Sequence, residues 1–68
     1  MPFTLFVNDQ QTAQRLTFED AQDAAALFIA KGESVRIEYR ARDNARRPTT
    51  WRYDRELSEW VRKSRGSP

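Results

Sequence analysis

No cysteine and no histidine occur anywhere in the 68 residues. Disulfides and thiolate metal clusters are therefore excluded. So are the commonest general base, the commonest metal ligand and the strongest side-chain nucleophile. Only two glycines are present, Gly32 and Gly66, so no glycine-rich loop exists to cradle a phosphate. Apolar runs are short and none approaches the ~20 residues that span a bilayer. The start, MPFTLFVNDQ, lacks the basic, apolar and small-residue zones of a signal peptide, and a cytoplasmic protein is expected. A domain of this length buries only about 60% of its unfolded surface, so its core must be thin. Eight aromatic residues have to supply much of the packing.

Charge is present in quantity and unevenly placed. Residues 1–33 hold two bases against five acids, and residues 34–68 hold ten bases against five acids. The chain thus has an acidic half and a basic half. Ten of the twelve bases are arginine, whose planar fork suits carboxylate and phosphate recognition.

The clearest element is Thr17 to Gly32, TFEDAQDAAALFIAKG. Thr17 is a capping residue, and Asp20 three positions on completes a capping-box pattern. Glu19, Asp20 and Asp23 favour the positive end of the helix dipole, and Lys31 favours the other. Gly32 suits the left-handed residue that ends a helix. Phe18, Ala21, Ala25, Phe28 and Ile29 form one stripe, with Ala24 at its edge. On the outer ridge, Asp20, Asp23 and Leu27 make an acid-rimmed apolar point, a secondary candidate for partner contact.

Around this helix the pattern is that of strands. Pro2 to Asn8 alternates, with Phe3, Leu5 and Val7 on one face and Thr4 and Phe6 on the other. Asp9 to Arg15 is polar and has no apolar period; it reads as a loop or as the continuation of a hairpin into Leu16. Ser34 to Ala41 sets Val35, Ile37, Tyr39 and Ala41 against Arg36, Glu38, Arg40 and Arg42. A turn at Asp43-Asn44 and a basic loop at Ala45-Arg46-Arg47-Pro48 lead to a strand over Thr49–Asp54. Residues 55–63 fit two descriptions. In one, Arg55 to Ser58 turns the chain and Glu59 to Arg62 returns as a strand pairing Trp60 with Tyr53. In the other, Asp54 caps a short helix carrying Leu57, Trp60 and Val61.

The expected fold is α+β: one antiparallel sheet of three to four strands with one helix on one face, in the order β-α-β-β-β. Residues 1–63 form the single domain and residues 64–68 a flexible basic tail. The sheet face away from the helix then carries Phe6, Arg36, Arg40 and Arg52. Arg42, Arg46 and Arg47 extend it, and Arg62 joins it if the last strand's register allows. An alternating charged face is also what keeps an uncovered sheet soluble.

No catalytic, metal or cofactor site is expected. The carboxylates of the first helical turn are explained by capping and dipole, and Glu38 among arginines reads as part of an ion-pair lattice. Three modes of binding remain. A basic face with aromatics suits nucleic acid, although the ribonucleoprotein and GXXG signatures are absent. Two chemically opposite surfaces suit a protein or nucleoprotein partner. Exposed edge strands allow a homodimer.

The sequence of segments FTLFVND, TFEDAQDAAALFIAKGESVRIEY, TTWRYD and EWVR resembles the small one-helix antiparallel-sheet proteins of phages and mobile elements, some anti-CRISPR proteins among them. The resemblance rests on architecture. It implies a non-enzymatic inhibitor that occupies the nucleic-acid or subunit surface of a CRISPR effector, and it assigns no individual residue a role.

Overall fold

The computed structural model describes residues 2–40 and 49–63. The elements are β1 (Phe3–Val7), β2 (Gln10–Arg15), α1 (Phe18–Ala30), β3 (Val35–Tyr39), β4 (Thr49–Asp54) and β5 (Glu59–Lys63). The strands form one sheet in the order β2-β1-β3-β4-β5, antiparallel throughout. The α+β class is as expected. The strand count is five, exceeding the three to four expected, because Asp9 to Arg15 is largely strand and not loop.

A two-residue turn makes that extra strand possible. Asn8 and Asp9 have φ of 52° and 68°, and Val7 pairs directly with Gln10. Positive φ at both central residues is the type I′ geometry, whose twist matches that of the flanking strands. Asparagine and aspartate tolerate it better than other side chains with a Cβ. Asn8 is also tied to the start of β3: its N–H donates to the Ser34 carbonyl at 2.8 Å, and its Oδ1 accepts from the Ser34 N–H at 3.3 Å. Its Nδ2 donates to Glu33 Oε1 at 2.9 Å. Farther along, the β1–β2 register shifts, with Leu5 opposite Ala13 and Phe6 opposite Gln11, so Thr12 is the extra residue of a bulge.

Helix α1 starts at the expected Thr17 cap and stops at Gly32, but the reciprocal bond from the Thr17 N–H to Asp20 that would complete a capping box is not made, and Lys31 is the C-cap residue. The Asp20 N–H donates to Thr17 Oγ1 at 3.1 Å. At the other end Gly32 has φ of 84°, its N–H donates to the Ile29 carbonyl, and the Glu33 N–H donates to the Phe28 carbonyl, both at 3.0 Å. This pair of bonds is the Schellman closure. Ala21 and Ala25 are fully buried, so the helix backbone lies close to the sheet, over β1, β2 and β3. Leu5, Val7, Val35 and Ile37 meet it from below. Those six residues are the whole buried core among the described residues.

The helix backbone does not lie over β4 and β5; aromatic rings, Phe18 of the helix among them, cover their near face instead. Phe18 lies 4.6 Å from Trp51 and 6.2 Å from Trp60, and Tyr53 meets Trp60 edge-on at 5.5 Å. Each of these rings is half-buried. The β4–β5 hairpin closes through Asp54, whose Oδ1 accepts from the N–H groups of Glu56 at 2.9 Å and Leu57 at 3.2 Å. Residues 59–63 are thus a strand and not a helix, and Tyr53 pairs with Trp60. Arg55, at the tip, reaches back to the helix C-terminus. Its guanidinium donates to the carbonyls of Ile29 at 3.1 Å and Glu33 at 2.6 Å. A cation on the final carbonyls complements the dipole and ties the far hairpin to the helix.

Candidate functional site

Among the described residues one side of the sheet is occupied by α1 and the aromatic rings, which leaves the opposite side as the open surface. Register defines its rows. One row runs Gln11, Phe6, Arg36, Arg52, Val61, and the next runs Gln14, Thr4, Glu38, Thr50. Arg40 follows the end of β3, held by its N–H to the Pro2 carbonyl at 3.0 Å. Phe6, Arg36, Arg40 and Arg52 are therefore brought together as the alternation of their strands dictates.

Arg36 is the hub of this surface. Its guanidinium carbon lies 4.2 Å from the centroid of the Phe6 ring. Its Nε donates to Glu38 Oε2 at 3.2 Å, and one terminal nitrogen is ion-paired with the Asp9 carboxylate. The side chain is only 22% exposed, as is that of Glu38. Such a guanidinium is fixed in place: the ring gives about 0.5–1 kcal/mol of cation–π attraction, and the partly exposed ion pairs add no more than about 1 kcal/mol each. The direction of its reach also matters. Arg36 stands directly opposite Arg52 in register, and Asp9, Glu38 and Phe6 draw its charge toward β1 and away from that like charge.

Arg52 and Arg40 are exposed, and neither makes a hydrogen bond to another side chain among the described residues. Asp54 and Glu59 lie directly opposite one another at the β4–β5 end of the same face. Among the described residues the surface is accordingly of mixed sign, with Arg36, Arg40 and Arg52 interleaved with Asp9, Glu38, Asp54 and Glu59. It is not a continuous basic sheet.

Arg62 requires a correction. Its Cα partner is Trp51, so it belongs to the helix side of the sheet with Trp60, and Val61 takes the place on the open face. The pairing of Tyr53 with Trp60 fixes this, since residues two apart on a strand share a face. Arg42, Arg46 and Arg47 lie outside the described residues, as does the 64–68 tail. On the helix, Asp20, Asp23 and Leu27 are all exposed, Leu27 at 60%.

Two contributors escaped the sequence reading. Asp9 orients Arg36 from a turn that only the Asn8-Asp9 pair could have signalled. Arg55 acts on the helix from a loop 22 residues beyond Glu33, a contact that no local pattern encodes. The aromatics divide unequally between the faces: Trp51, Tyr53 and Trp60 lie on the helix side, leaving Phe6 as the aromatic of the open face among the described residues. No cluster of three or more acidic side chains suited to a metal ion occurs among the described residues, and no helix is long and apolar enough to cross a membrane. Comparison with protein-family models, with curated proteins and with solved structures finds no match to this chain.

Proposed function

We propose that this chain is a non-enzymatic binding module that docks its open sheet face on a protein or on the protein surface of a nucleoprotein complex. The observation that carries this reading is the Phe6–Arg36 stack at the centre of the face, held rigid by Asp9 and Glu38. Aromatic and arginine side chains dominate interface energetics, and a side chain already fixed loses little freedom when a partner arrives. Exposed Arg40 and Arg52 with the neighbouring carboxylates then form a polar rim of both signs. A protein surface can match such a mosaic charge for charge.

Free nucleic acid fits the face less well. A stacking platform needs several aromatic rings on the binding side, and here the single ring of the described open face is covered by a guanidinium. The mixed sign also opposes the phosphate neutralisation that dominates such binding. The architectural resemblance to anti-CRISPR proteins supplies a first class of target, the subunit surface of a CRISPR effector.

Affinity capture with the full chain from a bacterial lysate is the direct experiment, with an Arg40→Glu/Arg52→Glu variant as control. A protein retained by the natural chain and lost from the variant supports the reading. Alongside it, single-stranded and duplex DNA and RNA are titrated at two salt concentrations. Tight binding that weakens steeply with salt, with no protein captured, overturns it in favour of nucleic acid.

A further inference from the structure

The two edges of the sheet are not equivalent. At the β2 edge the strand is polar, carries the Thr12 bulge, and uses its own side chains on its own backbone. Thr12 Oγ1 donates to the Gln10 carbonyl at 3.0 Å, and the Arg15 guanidinium donates to the Gln14 carbonyl at 2.8 Å. Bulges and local capping of this kind discourage another strand from pairing. At the other edge β5, EWVRK, is regular against β4, and among the described residues none of its backbone groups receives a side-chain hydrogen bond. Val61 in its middle is 40% exposed. The helix lies over β1, β2 and β3 at the far side, and among the described residues no element packs beyond the β5 edge.

Two features of β5 are incomplete within one chain. Asp54 and Glu59 are direct cross-strand partners of like charge, an unfavourable pair. On the helix side, Arg62 stands beside Trp51 and Trp60 beside Tyr53, each without a strand partner on the outer side among the described residues. We propose that β5 pairs antiparallel with β5 of a second copy, about a two-fold axis at Val61, joining two five-stranded sheets into one. The strand is self-complementary in that register. Val61 faces Val61 once, on the axis, while Trp60 faces Arg62 and Glu59 faces Lys63, each of these two pairs occurring twice. Arg62 of one copy then lies between its own Trp51 and Trp60 of the second copy, a cation between two indoles. A basic position arrives beside the Asp54–Glu59 pair. Dimerisation also adds to a core of six buried side chains among the described residues, which is where small domains are weakest. The pairing stands apart from the docking of the open face and leaves Phe6, Arg36 and Arg40 uncovered.

Sedimentation equilibrium of the full chain, from micromolar to near-millimolar concentration, is expected to give twice the 8.0 kDa of one chain at the upper end. Glu59→Lys places like charges together twice and weakens self-association about tenfold. Adding Lys63→Glu restores it. The chain has no cysteine, so a Val61→Cys variant can form only an intermolecular disulfide, and it should cross-link under mild oxidation faster than a Gln14→Cys variant at the β2 edge. A single-chain mass at every concentration overturns the proposal. So does a double charge variant no stronger than Glu59→Lys, or equal cross-linking at the two edges.

Discussion

The guanidinium of Arg36 lies over the ring of Phe6 at 4.2 Å, with the two residues directly opposite on β3 and β1. Both side chains sit on the uncovered face of a sheet whose other face is packed, so the contact organises a surface and not the core. It also sets a measurable coupling. A double-mutant cycle with Phe6→Leu and Arg36→Gln, read by urea denaturation, should give an interaction of about 0.5–1 kcal/mol. Additive effects of the two substitutions would show that the stack has no energetic content.

Leu5 and Ile37 are direct cross-strand partners and the two largest fully buried side chains among the described residues. Replacing either by Ala should cost about 2–5 kcal/mol, while a single core of this size supplies about 3–5 kcal/mol in total. Leu5→Ala and Ile37→Ala are therefore expected to be substantially unfolded at 25 °C by circular dichroism. Ile37→Val, at about 0.5–1.5 kcal/mol, should remain folded with a lower midpoint.

Gly32 has φ of 84° and nothing within 4 Å of where a Cβ would stand. A Gly32→Ala substitution meets no clash, so its cost is that of the left-handed backbone alone, about 1–2 kcal/mol. Thermal denaturation should show that loss with the helical signal retained. A neutral substitution would mean that the Schellman closure can relax at no cost.

Arg55 holds the carbonyls of Ile29 and Glu33 from the tip of the far hairpin. Its side chain is exposed, so Arg55→Ala should cost only about 1 kcal/mol. The sharper readout is local. Amide exchange at Gly32 and Glu33 should quicken in Arg55→Ala and stay unchanged in Glu56→Ala, whose side chain makes no hydrogen bond among the described residues.

The helix was legible because three independent signals coincide there: the Thr17 cap, the spacing from Phe18 to Ile29, and Gly32. The strands from Val35 onward were legible from alternation, and the open-face positions of Phe6, Arg36, Arg40 and Arg52 followed directly. Strand β2 was not, for a physical reason. An edge strand that places only Ala13 against the core needs no alternating apolar residues, and QQTAQR has none. Its signal lay in the preceding Asn8-Asp9 turn, weaker than Asn-Gly for the same geometry. The side taken by Arg62 depended on register, which the length of the Arg55–Ser58 loop fixes. The mixed sign of the open face was hidden because Asp9 and Glu59 enter it from a turn and from a neighbouring strand.

The most direct measurement is the affinity of the captured partner for the natural chain and two variants, by calorimetry at fixed salt. Arg40→Glu/Arg52→Glu reverses two exposed cations of the open face and leaves the Phe6–Arg36 stack in place. Leu27→Glu alters the outer ridge of the helix instead. The open face as docking surface predicts a loss of about 100-fold or more for the first variant, and near-natural affinity for the second. Unchanged affinity for the arginine variant, with the loss falling on Leu27→Glu, would contradict it.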